Sequence, residues 1–513
     1  MSAPHTSVLG DLLARSARRV PDTLALVFAE RRWSYRALDL AASRVAAGLL
    51  AAGLRPGDRV AAFGKNSDAY LLLWLATLRA GLVHVPVNYA LTGGELGYLL
   101  RQSGARALFL DPALQPALAA CGVHPPILGS LHGGPDSADI LAWARADAPP
   151  PTGLPELADD DIAQLLYTSG TTAEPKGAVM THRALLHHYA SAALALDMRA
   201  SDRPLHALPL YHSAQMHVFL MPALMLGMTS WLLPAPDPNL VLDTLAAHQL
   251  DSFFAPPTVW IALLGLLERD PSRARSLTRA YYGASIMPVP VLQRLRAILP
   301  GLAFYNCFGQ SEIGPLATVL RPEEHDARPA SAGRAVAFVD LRVVDDDMHD
   351  VPAGGVGEVV YRSPQLCTGY WDKPDETAAA FAGGWFHSGD LAHIDADRYI
   401  TIVDRKKDII KTGGVIVASR EVEEALFTHP GVREVAVIGL PDPRWIEAVC
   451  ACVVRQPGHE VSAEALIAHA RQTLAPFKVP KRIHFVADLP RNSAGKLLKR
   501  VLRDALATDD ADR

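Results

Sequence analysis

Apolar runs that read as strands alternate along this chain with stretches of helical spacing. Asp58–Phe63 reads as a strand, 69–80 as a helix and Val83–Val87 as the next strand. This alternation predicts an α/β fold with mostly parallel sheets. Ile162-Ala-Gln-Leu-Leu-Tyr167 is a further buried strand, and Gly177-Ala-Val-Met-Thr181 is also extended. Thr181 then N-caps a helix running through Leu185 and Leu186. Residues 278–282 and 303–307 form two more strands, each entering a loop. From about 332 to 403 the text is strand- and turn-rich, with Gly354-Gly355, Gly383-Gly384 and Gly389, and predicts a β-barrel-like subdomain. After Asp404 the pattern changes. A charge cluster over 404–411 leads to Gly413-Gly414, and then come a helix (420–427), strands (435–439 and 448–454), a helix (463–474) and a last strand (482–486). These make a small α+β domain. Residues 132–160, rich in Pro, Gly and Asp, read as a surface linker, and the polar tail 508–513 reads as unstructured.

One stretch changes this picture. Between Pro204 and Pro236 there is no Asp, Glu, Lys or Arg, and 216–235 is long enough to span a bilayer. Pro222, Pro234, Gly227 and His217 interrupt it, so a buried helix and strand beside an apolar pocket is the better reading. Met216, Phe219, Leu220, Met221 and Met225 suit an adaptable apolar wall or plain core. With 513 residues the chain holds several domains or subdomains. Its formal charge of −5, with 50% apolar and 20% charged residues, gives no overall pull toward nucleic acid or an anionic membrane. Five cysteines, with no C-x-x-C pair, fit reduced thiols in a cytoplasmic protein. The early arginines 15, 18 and 19 break up any signal-peptide core.

The stretch with the most chemistry is Tyr167-Thr-Ser-Gly-Thr-Thr-Ala-Glu-Pro-Lys-Gly177. Thr168, Ser169, Thr171 and Thr172 supply hydroxyls, Gly170 and Gly177 give backbone freedom, and Lys176 supplies a positive charge. Hydroxyls, bare N–H groups and a lysine together suit phosphate oxygens. A Walker A loop needs Gly-Lys-Ser/Thr opening directly into a helix. Here Pro175 precedes the lysine and Gly177 follows it, and the loop joins strand to strand.

Taken in order, these motifs resemble the adenylate-forming superfamily of acyl-CoA synthetases, peptide-synthetase adenylation domains and luciferases, across nearly the whole chain. The resemblance implies a large N-terminal adenylation domain (1–404) of two αβ subdomains plus a barrel, and a small mobile domain (405–513). It implies two half-reactions. A carboxylate attacks the α-phosphate of Mg-ATP to give acyl-adenylate and pyrophosphate, and then coenzyme A takes the acyl group. By motif, Thr168 to Gly177 grips the β- and γ-phosphates. Gly283, Ala284, Ser285, Asn306, Cys307 and Phe308 wall the adenine. Ser311 stands where a threonine is usual near the α-phosphate. Glu312, with Thr168, is the Mg²⁺ site, and hard oxygens suit that ion. Asp390 and Arg405 reach the ribose, and Lys407 is the hinge. Lys496, in Pro490-Arg-Asn-Ser-Ala-Gly-Lys496, bridges acid and α-phosphate. Gly413 and Gly414 line the pantetheine path. Rotation about Lys407 presents first Lys496 and then the Gly413 hairpin to one site.

Leu208-Pro-Leu-Tyr-His212 resembles the segment bordering the acyl pocket, which His212, Gln215, Met216, Gly283 and Gln310 would line. A charge-free wall argues against a dicarboxylate, which would want a cation, and leaves a fatty acid first and an aryl acid second. Three departures stand out. The family's Glu-Asn after the glycines is missing, Ser419 replaces a usual proline, and Ile446 replaces a usual glycine. The expected partners are a carboxylic acid, ATP and coenzyme A, with a carrier protein as the alternative acceptor. No nucleic acid is expected, and peripheral membrane contact and a homodimer stay open.

Overall fold

The computed structural model describes residues 8–134, 138–147, 153–168, 174–285, 287–413, 415–491 and 497–511, the last five as backbone only. These residues form four sheets. The first is six-stranded, ordered Ile127–Ser130, Ala107–Leu110, Arg59–Phe63, Val83–Val87, Ile162–Thr168, Lys176–Thr181. It is parallel up to its last pair, an antiparallel hairpin in which Thr168 faces Lys176. The second is nine-stranded, with Ser252–Ala255, Arg279–Gly283 and Ala303–Phe308 as parallel neighbours inside it. Both therefore present loops at the carboxyl ends of parallel strands, where open α/β sheets bind ligands.

The two sheets share one core. Every residue of the helix Asp68–Arg79 is buried. That explains an apolar sequence with no polar stripe, since a helix covered on all sides needs none. Its Tyr70 and Trp74 pack in one cluster with Met216, Leu220 and Leu232 from the second subdomain. The charge-free stretch is realised as wide π-type turns (Ala214–Leu220), a short helix (Met221–Leu226) and a strand (Ser230–Leu232). No helix among the described residues is long and apolar enough to cross a membrane.

The barrel-like region is built on a four-stranded antiparallel sheet, Asp340–Val344, Val356–Arg362, Phe386–Ile394 and Ile400–Arg405. The small domain has a five-stranded sheet dominated by the long pair Val432–Asp442 and Ile446–Arg455. Cys450 and Cys452 sit on one face of that pair, packed with Ala436 and Ile438, and all five cysteines are free thiols.

Two expectations are corrected. The stretch 132–160 is more than a surface linker: within it the helix Ile140–Arg145, capped by Asp139, buries Ile140, Leu141 and Ala144. Trp143 there fills the space left by Gly48, where a Cβ would stand 2.6 Å from its ring. The tail is not unstructured from residue 508, because the helix Lys499–Ala511 runs through Ala511. Its Leu502 is buried on the sheet face that holds Cys450 and Cys452, and this packing carries the helix past its polar end.

Candidate active site

The hairpin strands bring Thr168 and Lys176 opposite each other at the end where the loop joins them. Ser169, Gly170, Thr171 and Thr172 lie outside the described residues. Thr181 accepts the Ala184 N–H at 3.1 Å and starts the following helix, as expected. A second segment locks onto the hairpin edge: Thr368 donates to Val179, Val179 to Gly369, and Trp371 to Gly177. This zipper places Tyr370 between Lys176 and Glu312. The Lys176 ammonium stands 5.3 Å from the centre of its ring, and its hydroxyl donates to Glu312 Oε1 at 3.1 Å. Burial first, and Glu312 second, push the Tyr370 hydroxyl well above its ordinary range, so it stays a protonated donor.

Glu312 is 9% exposed and also accepts from Thr168 Oγ1 at 3.3 Å. Its backbone carbonyl accepts from Cys367 N at 2.8 Å. The loop that carries it turns at Gly309, where a Cβ would stand 2.0 Å from the Pro315 carbonyl. One residue earlier, Ser311 Oγ pairs with Ser213 Oγ at 2.9 Å. One earlier again, Gln310 Nε2 reaches the Ser388 carbonyl at 3.5 Å, and Gln310 Oε1 is buried without a hydrogen-bond partner among the described residues. No cluster of three or more His, Cys, Asp or Glu side chains among the described residues could hold a metal. One carboxylate beside a hydroxyl fits an ion that takes its other oxygens from phosphate and water, as Mg²⁺ does.

On the barrel side, Asp390 and Arg405 are register partners on adjacent strands. Arg405 Nε reaches Asp390 Oδ1 at 2.7 Å, and Arg405 Nη1 donates to the Ser388 carbonyl at 3.4 Å. Asp390 is 4% exposed, so its charge is held by the arginine. Between these two sides lie the ends of two parallel strands. Gly283 pairs with Cys307, and a Cβ there would stand 2.2 Å from the Cys307 carbonyl. Ala284 and Ser285 follow, both exposed. Asn306 donates to the Ser331 carbonyl at 2.8 Å, burial keeps the Cys307 thiol neutral, and Phe308 is half-buried.

The segment 208–212 is fastened by Asn66. Its side chain accepts from Leu210 N at 2.7 Å and donates to the carbonyls of Leu208 (2.8 Å) and Leu233 (3.0 Å). This holds His212, half-buried, at the start of the π-type turns. Gln215 and Met216 are placed differently from His212. Both are fully buried: Gln215 bonds His206 Nδ1 (2.8 Å) and Leu208 N (3.2 Å), and Met216 sits in the core between the sheets. In the small domain, Lys407 is exposed, and Gly413 takes φ +56° with its N–H donated to the Trp445 carbonyl at 2.7 Å. Gly414 and Lys496 lie outside the described residues.

The model of the AMP-binding enzyme family matches residues 13–371, and that of the AMP-binding enzyme C-terminal domain matches 421–496. The chain belongs to the AMP-binding enzyme family. Within the adenylate-forming superfamily this AMP-binding enzyme is acyl-CoA synthetase-like. It is 37% identical over 497 residues to a feruloyl-CoA synthase of Amycolatopsis sp, covering 96% of this chain and 98% of that one. It is 34% identical over 527 residues to the fatty acid–[acyl-carrier-protein] ligase ScoC of Streptomyces coeruleorubidus, covering 99% and 98%. Its structure matches the anthranilate CoA ligase AuaEII in complex with anthranoyl-AMP with a TM-score of 0.92, at 27% identity and 99% coverage of both chains.

Three residues of this AMP-binding enzyme's candidate site escaped the sequence reading: Tyr370, Asn66 and Ser213. Tyr370 follows Cys367-Thr-Gly, a turn signal that shows nothing of the hairpin it clamps. Ser213 adjoins His212 in sequence and could have been included on that ground. Asn66 lies far from its partners along the chain, and nothing local marks it.

Proposed function

We propose that this protein couples ATP cleavage to thioester formation on a hydrophobic carboxylic acid, with coenzyme A as the acceptor. One observation carries the reading. Three consecutive residues tie three binding regions together: Gln310 reaches the ribose side through Ser388, Ser311 the acid side through Ser213, and Glu312 the phosphate side through Thr168 and Tyr370.

The residues have separable roles. Lys176 and the Thr168 loop neutralise and orient the β- and γ-phosphates. Asp390 accepts from the ribose hydroxyls while Arg405 holds it in place. Gly283 to Ser285 and Asn306 to Phe308 border the base. His212 borders the carboxylate, and Lys496 supplies the positive charge between two anions that would otherwise repel. Mg²⁺ held through Glu312 and the Thr168 hydroxyl would offset further phosphate charge. For the second half-reaction the Lys496 loop must leave and the Gly413 hairpin must approach, so the domain after Lys407 moves as a body.

The acid's tail carries no charge, because the segment bordering it has none between Pro204 and Pro236. A fatty acid meets this requirement. An aryl acid does too, and it is favoured by the similarity to the feruloyl-CoA synthase. A carrier protein in place of coenzyme A is supported by the similarity to ScoC. The test is a pyrophosphate-release screen over a carboxylate panel, with coenzyme A, with a holo carrier protein, and with neither. Acid-dependent release with a coenzyme A thioester found by mass supports the reading. No release with any carboxylate overturns it.

A further inference from the structure

A cluster of nearly buried polar groups spans the hinge. Asp404, 8% exposed, is the penultimate residue of the strand Ile400–Arg405 on the large-domain side. Ser419, fully buried, opens the helix Ser419–Phe427 on the small-domain side. Both donors of Ser419 go to one carboxylate oxygen: its N–H reaches Asp404 Oδ2 at 2.7 Å and its hydroxyl at 2.5 Å. The hydroxyl oxygen in turn accepts from the Lys499 ammonium. Lys499 also pairs with Glu423 Oε1 at 2.8 Å, and that oxygen accepts the Val437 N–H at 2.8 Å. Next to Ser419, the Arg420 guanidinium donates to the Ile402 carbonyl. Every bond between these two groups of residues crosses Lys407.

We propose that Ser419 is the clasp of a cross-hinge latch, a positioning residue that sets how the enzyme divides its time between its two domain arrangements. This rests on the acid–CoA ligase reading with rotation about Lys407. Rotation there moves everything after residue 407 relative to everything before it, so Asp404 and Ser419 separate. The bonds exist in one arrangement only. Bonds to a buried carboxylate are of the strong, charge-assisted kind, and their loss shifts an equilibrium about tenfold or more. Lys499 lies three residues after Lys496, so the clasp also ties down the chain leaving the catalytic-lysine loop. A proline, the usual residue at this position in the resembling family, has neither N–H nor hydroxyl and could make neither bond.

That difference supplies a clean variant. Ser419 is the first residue of its helix, a position where proline is well tolerated, because an N–H there has no intrahelical partner. Ser419→Pro therefore removes both donors and keeps the helix start, and Ser419→Ala removes the hydroxyl alone. Two readouts are needed on the full chain. The first is trypsin cleavage at Arg405, Lys406 and Lys407 without ligand, followed by mass spectrometry. The second is single-turnover rates of the two halves, using whichever of octanoate and ferulate releases pyrophosphate: adenylation from acid and ATP, and thioester formation from preformed acyl-adenylate and coenzyme A. The latch predicts faster hinge cleavage in the order wild type, Ser419→Ala, Ser419→Pro. It also predicts a change of about tenfold in the ratio of the two half-rates, with the halves moving in opposite directions. Graded cleavage with no acid releasing pyrophosphate would keep the latch and remove the ligase reading. Unchanged cleavage overturns the latch, and so does an equal fall in both half-rates with a lowered Tm.

Discussion

The Tyr370 hydroxyl donates to Glu312 Oε1 at 3.1 Å, and the same ring lies 5.3 Å from the Lys176 ammonium. One aromatic side chain thus touches both the residue that would hold the metal and the residue that would hold the phosphates. Tyr370→Phe keeps the ring under Lys176 and removes the donor. A lost hydrogen bond to a charged group is worth about 1.5–3 kcal/mol, so kcat/KM for adenylation should fall roughly tenfold or more. The Mg²⁺ concentration needed for half-maximal rate should rise as well. A fall in rate with unchanged Mg²⁺ dependence would place Tyr370 with Lys176 alone.

Lys496→Ala should lower adenylation by orders of magnitude and spare thioester formation from preformed acyl-adenylate. Single-turnover assays of each half check this. Equal loss in both halves would end the idea that one domain serves two arrangements.

Ile446 takes φ +70°, a left-handed conformation that suits glycine and strains a β-branched residue. It is 65% exposed, so little burial is lost on truncation. Ile446→Gly should stabilise the small domain by roughly 0.5–1 kcal/mol, the relief of about 1–2 kcal/mol of strain less glycine's own entropy cost. Thermal unfolding followed by calorimetry checks it, and a lowered Tm would show that the side chain is held by contacts stronger than the strain.

Burial pushes three histidines, His84, His188 and His206, down to about 3, and His182 down to about 4. Neither ring nitrogen of His84 has a hydrogen-bond partner among the described residues. In the unfolded chain each titrates near 6.5. Between 6.5 and these lower values the unfolded chain binds more protons than the folded one, so stability falls as pH drops through that window. Tm should be flat above about pH 7 and decline progressively below pH 6. His84→Phe, which cannot charge, should make the decline shallower. An unchanged slope would exclude His84 from the acid response.

Much of the fold was legible because its strands and helices are locally coded. Val83–Val87 and Ile162–Thr168 are mostly apolar runs without a charged residue, and Thr181 is a cap whose partner lies three residues away. The helix Ile140–Arg145 was missed because its six residues are too few to show a helical period inside a Pro- and Gly-rich stretch. The end of the last helix was missed because polar residues are helical there only through the packing of Leu502. The site was legible where chemistry clusters along the chain, as in Thr168 to Lys176 or Gln310-Ser311-Glu312.

The sequence alone determined the order of motifs, and through it the family, the α/β architecture and the charge-free stretch between Pro204 and Pro236. Each of these depends on neighbours along the chain, which spacing reveals. Only the tertiary structure decided that Tyr370 joins Lys176 to Glu312, that Asn66 holds the His212 segment, that Gln215 faces inward, and that Ser419 clasps Asp404. Those contacts join residues from 7 to 194 positions apart, and their geometry depends on how separate sheets pack and on which buried donors find acceptors.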